Sequence, residues 1–187
     1  LASMWKPHAC FTKPEPNAAS PPQKLIVRSA VPCTSTRLSA GTAPVSMLLP
    51  PQEDGRMLAA LNLGHFGVKL HASDDAGANW HEVATPAYPE QPAAAAGPPW
   101  KLVQVWSLEA AHGTVWAGTL PGGLFRSRDR GTTWEMIDTL WHMPERNKWL
   151  GGGADIPGIH SICVDPRSSK TVRVAISCGG VWVTHDG

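Results

Sequence analysis

The chain has 187 residues, a formal net charge of +1 and only 17% charged residues, which leaves no electrostatic basis for binding nucleic acid or an anionic membrane. No run of about 18 apolar residues is present, so the sequence offers no helix to span a bilayer. Its 18 Gly and 18 Pro favour turns and short strands over long helices.

Residues 1–43 form a Pro-rich leader with Lys6-Pro7, Lys13-Pro14-Glu15-Pro16 and Pro21-Pro22. Only Lys24-Leu25-Ile26-Val27-Arg28 reads as a strand there, and the composition predicts a poorly ordered arm. The leader holds no basic segment followed by an apolar one, so a cytoplasmic location without a signal peptide is expected. The four cysteines, Cys10, Cys33, Cys163 and Cys178, are then expected as reduced thiols. Their spacing suits no structural zinc, and no metal or cofactor is expected.

From residue 44 to 187 the pattern is strand, turn, strand. Val45–Leu49 leads into the turn cluster Pro50–Gly55, and Arg56–Leu61 and Val68–Ala72 follow as strands. Gly64-His65-Phe66-Gly67 between them suggests a bulge. Residues 84–99 are Pro- and Ala-rich and read as a long loop, because prolines flank the four-alanine run too closely for a helix. Val103–Leu108, Thr114–Thr119 and Leu124–Arg126 are the next strands. Residues 138–158, with Trp141, Trp149 and Gly151-Gly152-Gly153, form a second long insertion. Ser161–Val164, Val172–Ser177 and Val181–Val183 complete the series.

A repeat organises these strands. Ser73-Asp74-Asp75-Ala76-Gly77-Ala78-Asn79-Trp80 aligns with Ser127-Arg128-Asp129-Arg130-Gly131-Thr132-Thr133-Trp134, and Thr184-His185-Asp186-Gly187 opens a third copy. The pattern is S/T-x-D-x-G-x-x-W, and Asp75, Asp129 and Asp186 recur at spacings of about 54 and 57 residues. The hydroxyl and carboxylate can accept backbone N–H groups of a tight turn. The glycine supplies a positive φ, and the tryptophan opens the next strand and buries its ring. Each turn thus joins the third and fourth strands of a four-stranded unit, which is a propeller blade.

These motifs resemble the Asp-box (BNR) repeat β-propeller proteins, the sialidase and sortilin-type superfamily. Leu61–Gly67, Ala117–Phe125 and Pro157–Ile162 are similar to an uncharacterised bacterial branch of it, labelled WD40/YVTN/BNR-like or glycosyl hydrolase. The resemblance covers residues 44–187. It implies an all-β fold, a partial β-propeller of about three four-stranded antiparallel blades with Asp-box turns. The leader does not match the pattern, and the third motif stops at Gly187, so an incomplete ring is expected. Open flanks of that kind predict self-association.

In propellers, ligands bind over the central channel. The resemblance therefore directs attention to His65, Gly122, Gly123, Cys178 and Gly179 in the loops between second and third strands. Their glycines serve either tight turns or the approach of a ligand to the backbone. Gln104, Trp106, Glu109, His160 and Ser161 lie on the first strands. Glu109, His160 and His65 are the catalytic candidates. Asp75, Asp129 and Asp186, with Ser73, Gly77, Trp80, Ser127, Gly131, Trp134 and Thr184, are structural. Sialidase chemistry needs an arginine trio, a Tyr/Glu pair and an aspartic acid. Here Tyr88 sits in a Pro-rich loop, and Arg126, Arg128 and Arg130 cluster at one acidic turn. A general glycosidase would need a second inward carboxylate beside Glu109, for which Asp155 is the candidate. Trp100, Trp106, Trp141 and Trp149 either stack on a sugar or cover blade ends. The leading expectation is a scaffold that binds a carbohydrate or protein ligand without catalysis. The alternative is a sialidase-like glycoside hydrolase.

Overall fold

A computed structural model describes residues 5–7, 45–50, 52–95 and 97–187. The strand expected at Lys24–Arg28, and Cys10 and Cys33, lie outside the described residues. Among the described residues twelve strands are formed: β1 (Lys6–Pro7), β2 (Val45–Leu49), β3 (Met57–Asn62), β4 (Val68–Ser73), β5 (His81–Val83), β6 (Gln104–Ala111), β7 (Thr114–Leu120), β8 (Leu124–Ser127), β9 (Glu135–Met136), β10 (Ile159–Val164), β11 (Val172–Ile176) and β12 (Gly180–Thr184). They build three antiparallel four-stranded sheets in the orders β2-β3-β4-β5, β6-β7-β8-β9 and β1-β12-β11-β10. The first strands β2, β6 and β10 lie side by side, with β6 in the middle.

Antiparallel order puts the connections at two ends. The β3–β4, β7–β8 and β11–β12 turns share one end with the sheet-to-sheet segments 84–103 and 137–158, called here the loop end. The acidic turns and the first-to-second-strand turns share the other. Period-two alternation along the second sheet divides the core. Val115, Ala117 and Phe125 join Leu58, Leu70 and Val105 between the first and second sheets. Trp116 and Leu124 join Ile159, Val172, Val174 and Trp182 between the second and third.

The acidic turns have the expected local chemistry. The Ser73 hydroxyl donates to Asp75 at 2.8 Å and accepts the Gly77 N–H at 2.8 Å, and Asp75 Oδ1 accepts the Asn79 N–H at 2.8 Å. Ser127, Asp129, Gly131 and Thr133 repeat this at 2.7, 2.7 and 2.8 Å. Thr184 and Asp186 make the same first contact. The left-handed conformation occupies two residues, Ala76 with Gly77 (φ 53° and 91°) and Arg130 with Gly131 (64° and 85°).

The backbone N–H and side-chain donors of Asn79 hold the Asp75 carboxyl down to about 2, and those of Thr133 do the same for Asp129. A carboxyl whose pKa falls on folding stabilises the fold fully above its ordinary value of 3.8 and loses that contribution as pH falls through about 2. An NMR acid titration is therefore expected to show the Asn79 and Thr133 amides moving with midpoints near 2. Midpoints near the ordinary carboxylate value would mean that the turns are not closed in this way.

At the same end, Arg56 ties the first sheet to the second. Its guanidinium is buried, donates to both Asp74 oxygens at 2.7 and 2.8 Å, and reaches the Arg130 carbonyl at 3.2 Å. Arg130 in turn bonds Asp54 at 2.9 Å and Asp74 at 3.1 Å.

Three features differ from expectation. Trp5 to Pro7, read as part of an unpacked arm, instead supply the outer strand of the third sheet. Lys6 pairs with Val183 and Pro7 with Trp182, and Trp5 is 2% exposed. The lack of an N–H at Pro7 is compatible with its edge position. Second, Gly64–Phe66 is a short 3-10 helix, not a bulge. Third, the 138–158 insertion contains a helical turn, α1 (Asp138–Trp141), followed by a 3-10 turn at Pro144–Lys148. Burial of Leu140 and Trp141 holds these four residues, which are too few for helix propensity to act alone.

Candidate functional site

Each first strand carries an irregularity at the same level. Pairing shifts between Val45 and Met47 in β2, between Val105 and Ser107 in β6, and between Ile159 and Ser161 in β10. The extra residues are Ser46, Trp106 and His160, all towards the loop end. A bulge leaves one residue out of the ladder, re-aims its side chain and frees backbone groups that need partners. Serine hydroxyls of the preceding sheet provide them. Ser107 donates to the Ile159 carbonyl at 2.9 Å, and Ser46 donates to Ala60 at 3.1 Å and reaches the Val105 carbonyl at 3.5 Å.

The bulges place Trp106 beside His160, with ring centroids 6.0 Å apart and planes at 70°. Trp106 is half-buried and His160 exposed. A Cβ on Gly158 would lie 2.5 Å from the Trp106 ring and 2.8 Å from Leu120, so this glycine makes room for the indole. His160 Nδ1 lies 2.9 Å from the Ser161 hydroxyl. Gln104, half-buried, starts the same strand as Trp106. Glu109 lies further along β6 opposite Trp116, and burial raises its carboxyl pKa. Among the described residues it is the only carboxylate on the three first strands.

The other sequence candidates are placed elsewhere. His65 sits on the exposed 3-10 turn, its ring 4.2 Å from Phe66. Gly122 and Gly123 are buried beneath the chain's own aromatics. A Cβ on Gly123 would come within 2.4 Å of the Tyr88 hydroxyl, and one on Gly122 within 3.5 Å of Trp149. The Tyr88 hydroxyl accepts the Gly123 N–H at 3.1 Å, donates to the Pro121 carbonyl at 2.8 Å and contacts Thr119. Burial pushes its phenol pKa up. Gly179 gives the same room to Trp149, and Cys178 is an exposed free thiol with φ 42°. The close approach these glycines allow is thus made by rings of this protein.

Arg126 pairs with Glu135 at 2.8 Å and Arg130 with Asp54 and Asp74, away from the first strands. Asp155 is exposed in the insertion. Among the described residues no three His, Cys, Asp or Glu side chains gather as a metal site, and no helix is long and apolar enough to cross a membrane. Sequence reasoning named Trp106 and His160 but missed Ser46 and Ser107. Turn lengths vary between the units, so aligning on the acidic turns does not bring the bulges into register.

No protein-family model and no curated protein matches the chain. Among solved structures it is similar to a GH74 xyloglucanase from Xanthomonas campestris, with a TM-score of 0.53 and 13% identity over 81% of this chain. YCF48 from Cyanidioschyzon merolae aligns over 78% of it at 13% identity, with a TM-score of 0.48. The fold is a partial β-propeller. The chain spans 22% of the xyloglucanase and 39% of YCF48, and the three sheets are its blades.

Proposed function

We propose that this chain is an Asp-box (BNR-repeat) β-propeller scaffold that binds a carbohydrate or protein ligand over its channel face, without catalysis. The observation that carries this reading is the level row of bulges on the three first strands, with Trp106 and His160 side by side. A half-buried indole offers an apolar face for a sugar ring or side chain, and the imidazole edge adds a hydrogen-bonding group. The acidic turns, at the opposite end of the blades, stabilise hairpins and leave this face free. Hydrolysis by two carboxylates lacks its second member here, because Glu109 has no companion on the described first strands. The raised pKa of Glu109 favours one second reading, a glycoside hydrolase in which it is the general acid.

Calorimetric titration against neutral oligosaccharides, with product release monitored in parallel, tests both. Binding without turnover is expected, with Trp106→Ala weakening it about tenfold through lost stacking and His160→Ala by less. Affinity unchanged in both variants would remove the channel face as the site. Turnover abolished by Glu109→Gln would replace the scaffold reading with the hydrolase.

A further inference from the structure

A pocket stands apart from the first strands. Gly97, Trp100, Trp141, His142, Arg146 and Asn147 line this open pocket of about 490 Å³ at the loop end. Its floor is fixed. Trp141 is 2% exposed, and its ring lies 4.8 Å from Tyr88 and 5.3 Å from Trp100, edge-on to the latter. Trp100 is half-buried and His142 exposed, 6.0 Å from it.

Arg146 is the unusual member. Its guanidinium carbon stacks 3.4 Å from the centroid of Trp141. The group is half-buried, and desolvation lowers its pKa. Among the described residues no carboxylate lies within ion-pair distance of it. By contrast Arg56, Arg126, Arg130, Arg167 and Arg173 each have an acidic partner, and Arg128, which has none within ion-pair distance among the described residues, is exposed. Withdrawing a cation from water without a counter-charge is unfavourable, and cation–π stacking offsets only part of that. A guanidinium that stacks by its flat face keeps its in-plane N–H groups for other partners, in the fork geometry that matches a carboxylate.

We infer that this pocket binds an acidic sugar, with the carboxylate of a hexuronic acid unit held by the Arg146 fork and its pyranose ring laid against Trp100. His142 and Asn147 border the pocket and can bond ring hydroxyls. The volume is that of a small-ligand site, and the half-buried Trp100 suits a sugar ring better than the flexible side chain of an acidic peptide. The site does not depend on Trp106 or His160, and the neutral-sugar titration described for the channel face reads that proposal separately.

The test is calorimetric titration of the whole chain with trigalacturonate and, separately, with its fully methyl-esterified form, which removes the charge and keeps the rings. The acid is expected to bind and the ester to bind at least about tenfold more weakly, the difference made by charge-assisted bonds. Arg146→Gln is expected to lose that preference, Arg146→Lys to regain only part of it, and Trp100→Ala to weaken both ligands. Arg146 and Trp100 are partly exposed but both pack on Trp141, so all three variants are expected to keep one cooperative thermal transition at a slightly lower Tm. Equal binding of acid and ester, no binding of either at millimolar concentration, unchanged affinity in Arg146→Gln, or tighter binding of an Asp/Glu-rich peptide would each overturn the inference.

Discussion

Replacing Trp5 with alanine is expected to destabilise the protein by about 3–5 kcal/mol, the range for truncating a buried large aromatic, and to lower Tm by about 10 °C. The reason lies in an equivalence of register. His81 pairs with Ala72, one residue before Ser73, and Glu135 pairs with Arg126, one residue before Ser127. Lys6 pairs with Val183, one residue before Thr184. Trp5 therefore stands in the third blade where Trp80 and Trp134 stand in the first and second. Two of these rings turn towards the preceding blade: Trp134 donates to the Ala84 carbonyl at 2.9 Å, and Trp5 joins the cluster with Trp116 and Leu124. Trp80 is only half-buried, on the side of the first blade away from the second. Trp5→Ala should expose the outer edge of β12, and amide exchange over Gly180–Thr184 should accelerate well beyond the rest of the protein. Trp5→Phe, which keeps an aromatic ring, should restore part of the loss. A Trp5→Ala protein that melts unchanged, with β12 still protected, would show that these residues do not complete the blade.

Legibility of this fold in the sequence follows the range of each interaction. The acidic turns are local, with a hydroxyl, a carboxylate and a glycine inside eight residues, so their closure was evident from Ser73–Trp80 alone. β2 was read with its observed bounds, since alternation and the turn cluster behind it are local as well. β1 was not legible. Leu1–Met4 carry no acidic-turn motif, and the partner of β1, β12, is remote in sequence, so only tertiary register assigns it. The bulges at Ser46, Trp106 and His160 were hidden for the same reason, because a pairing shift is a property of two strands together. Trp106 and His160 could still be named from position on the first strands, whereas Ser46 and Ser107 carry no signal beyond being small and polar. The pocket around Arg146 depends on two segments that the sequence shows only as loops.

Gly118→Ala is expected to cost about 2–5 kcal/mol, combining overpacking with the loss of a buried hydrogen bond. Gly118 follows the β6 bulge in register, opposite Ser107. Ala60 and Ala175 hold the corresponding places, opposite Met47 and Ser161. Those two blades accept a methyl group, and the second does not. A Cβ on Gly118 would lie 2.3 Å from the Ser107 hydroxyl and 2.7 Å from both the Ile159 carbonyl oxygen and its side chain. The oxygen belongs to backbone held in a sheet, so it cannot swing aside as a flexible side chain would. The added methyl must push β10 away from β7 or displace Ser107, and either movement breaks the 2.9 Å bond from Ser107 to Ile159. Ile159 immediately precedes the bulged His160, so the damage reaches the channel face. The expected signature is a lower Tm together with changed NMR shifts of the Trp106 indole N–H and the His160 ring, while the Asn79 amide in the first acidic turn stays in place. Ser107→Ala in the Gly118→Ala background should relieve the contact with the hydroxyl and leave the one with the carbonyl, giving partial recovery. Full recovery would assign the whole cost to Ser107, and an unchanged Tm in Gly118→Ala would refute the close approach of the second and third blades on which the geometry of the bulges rests.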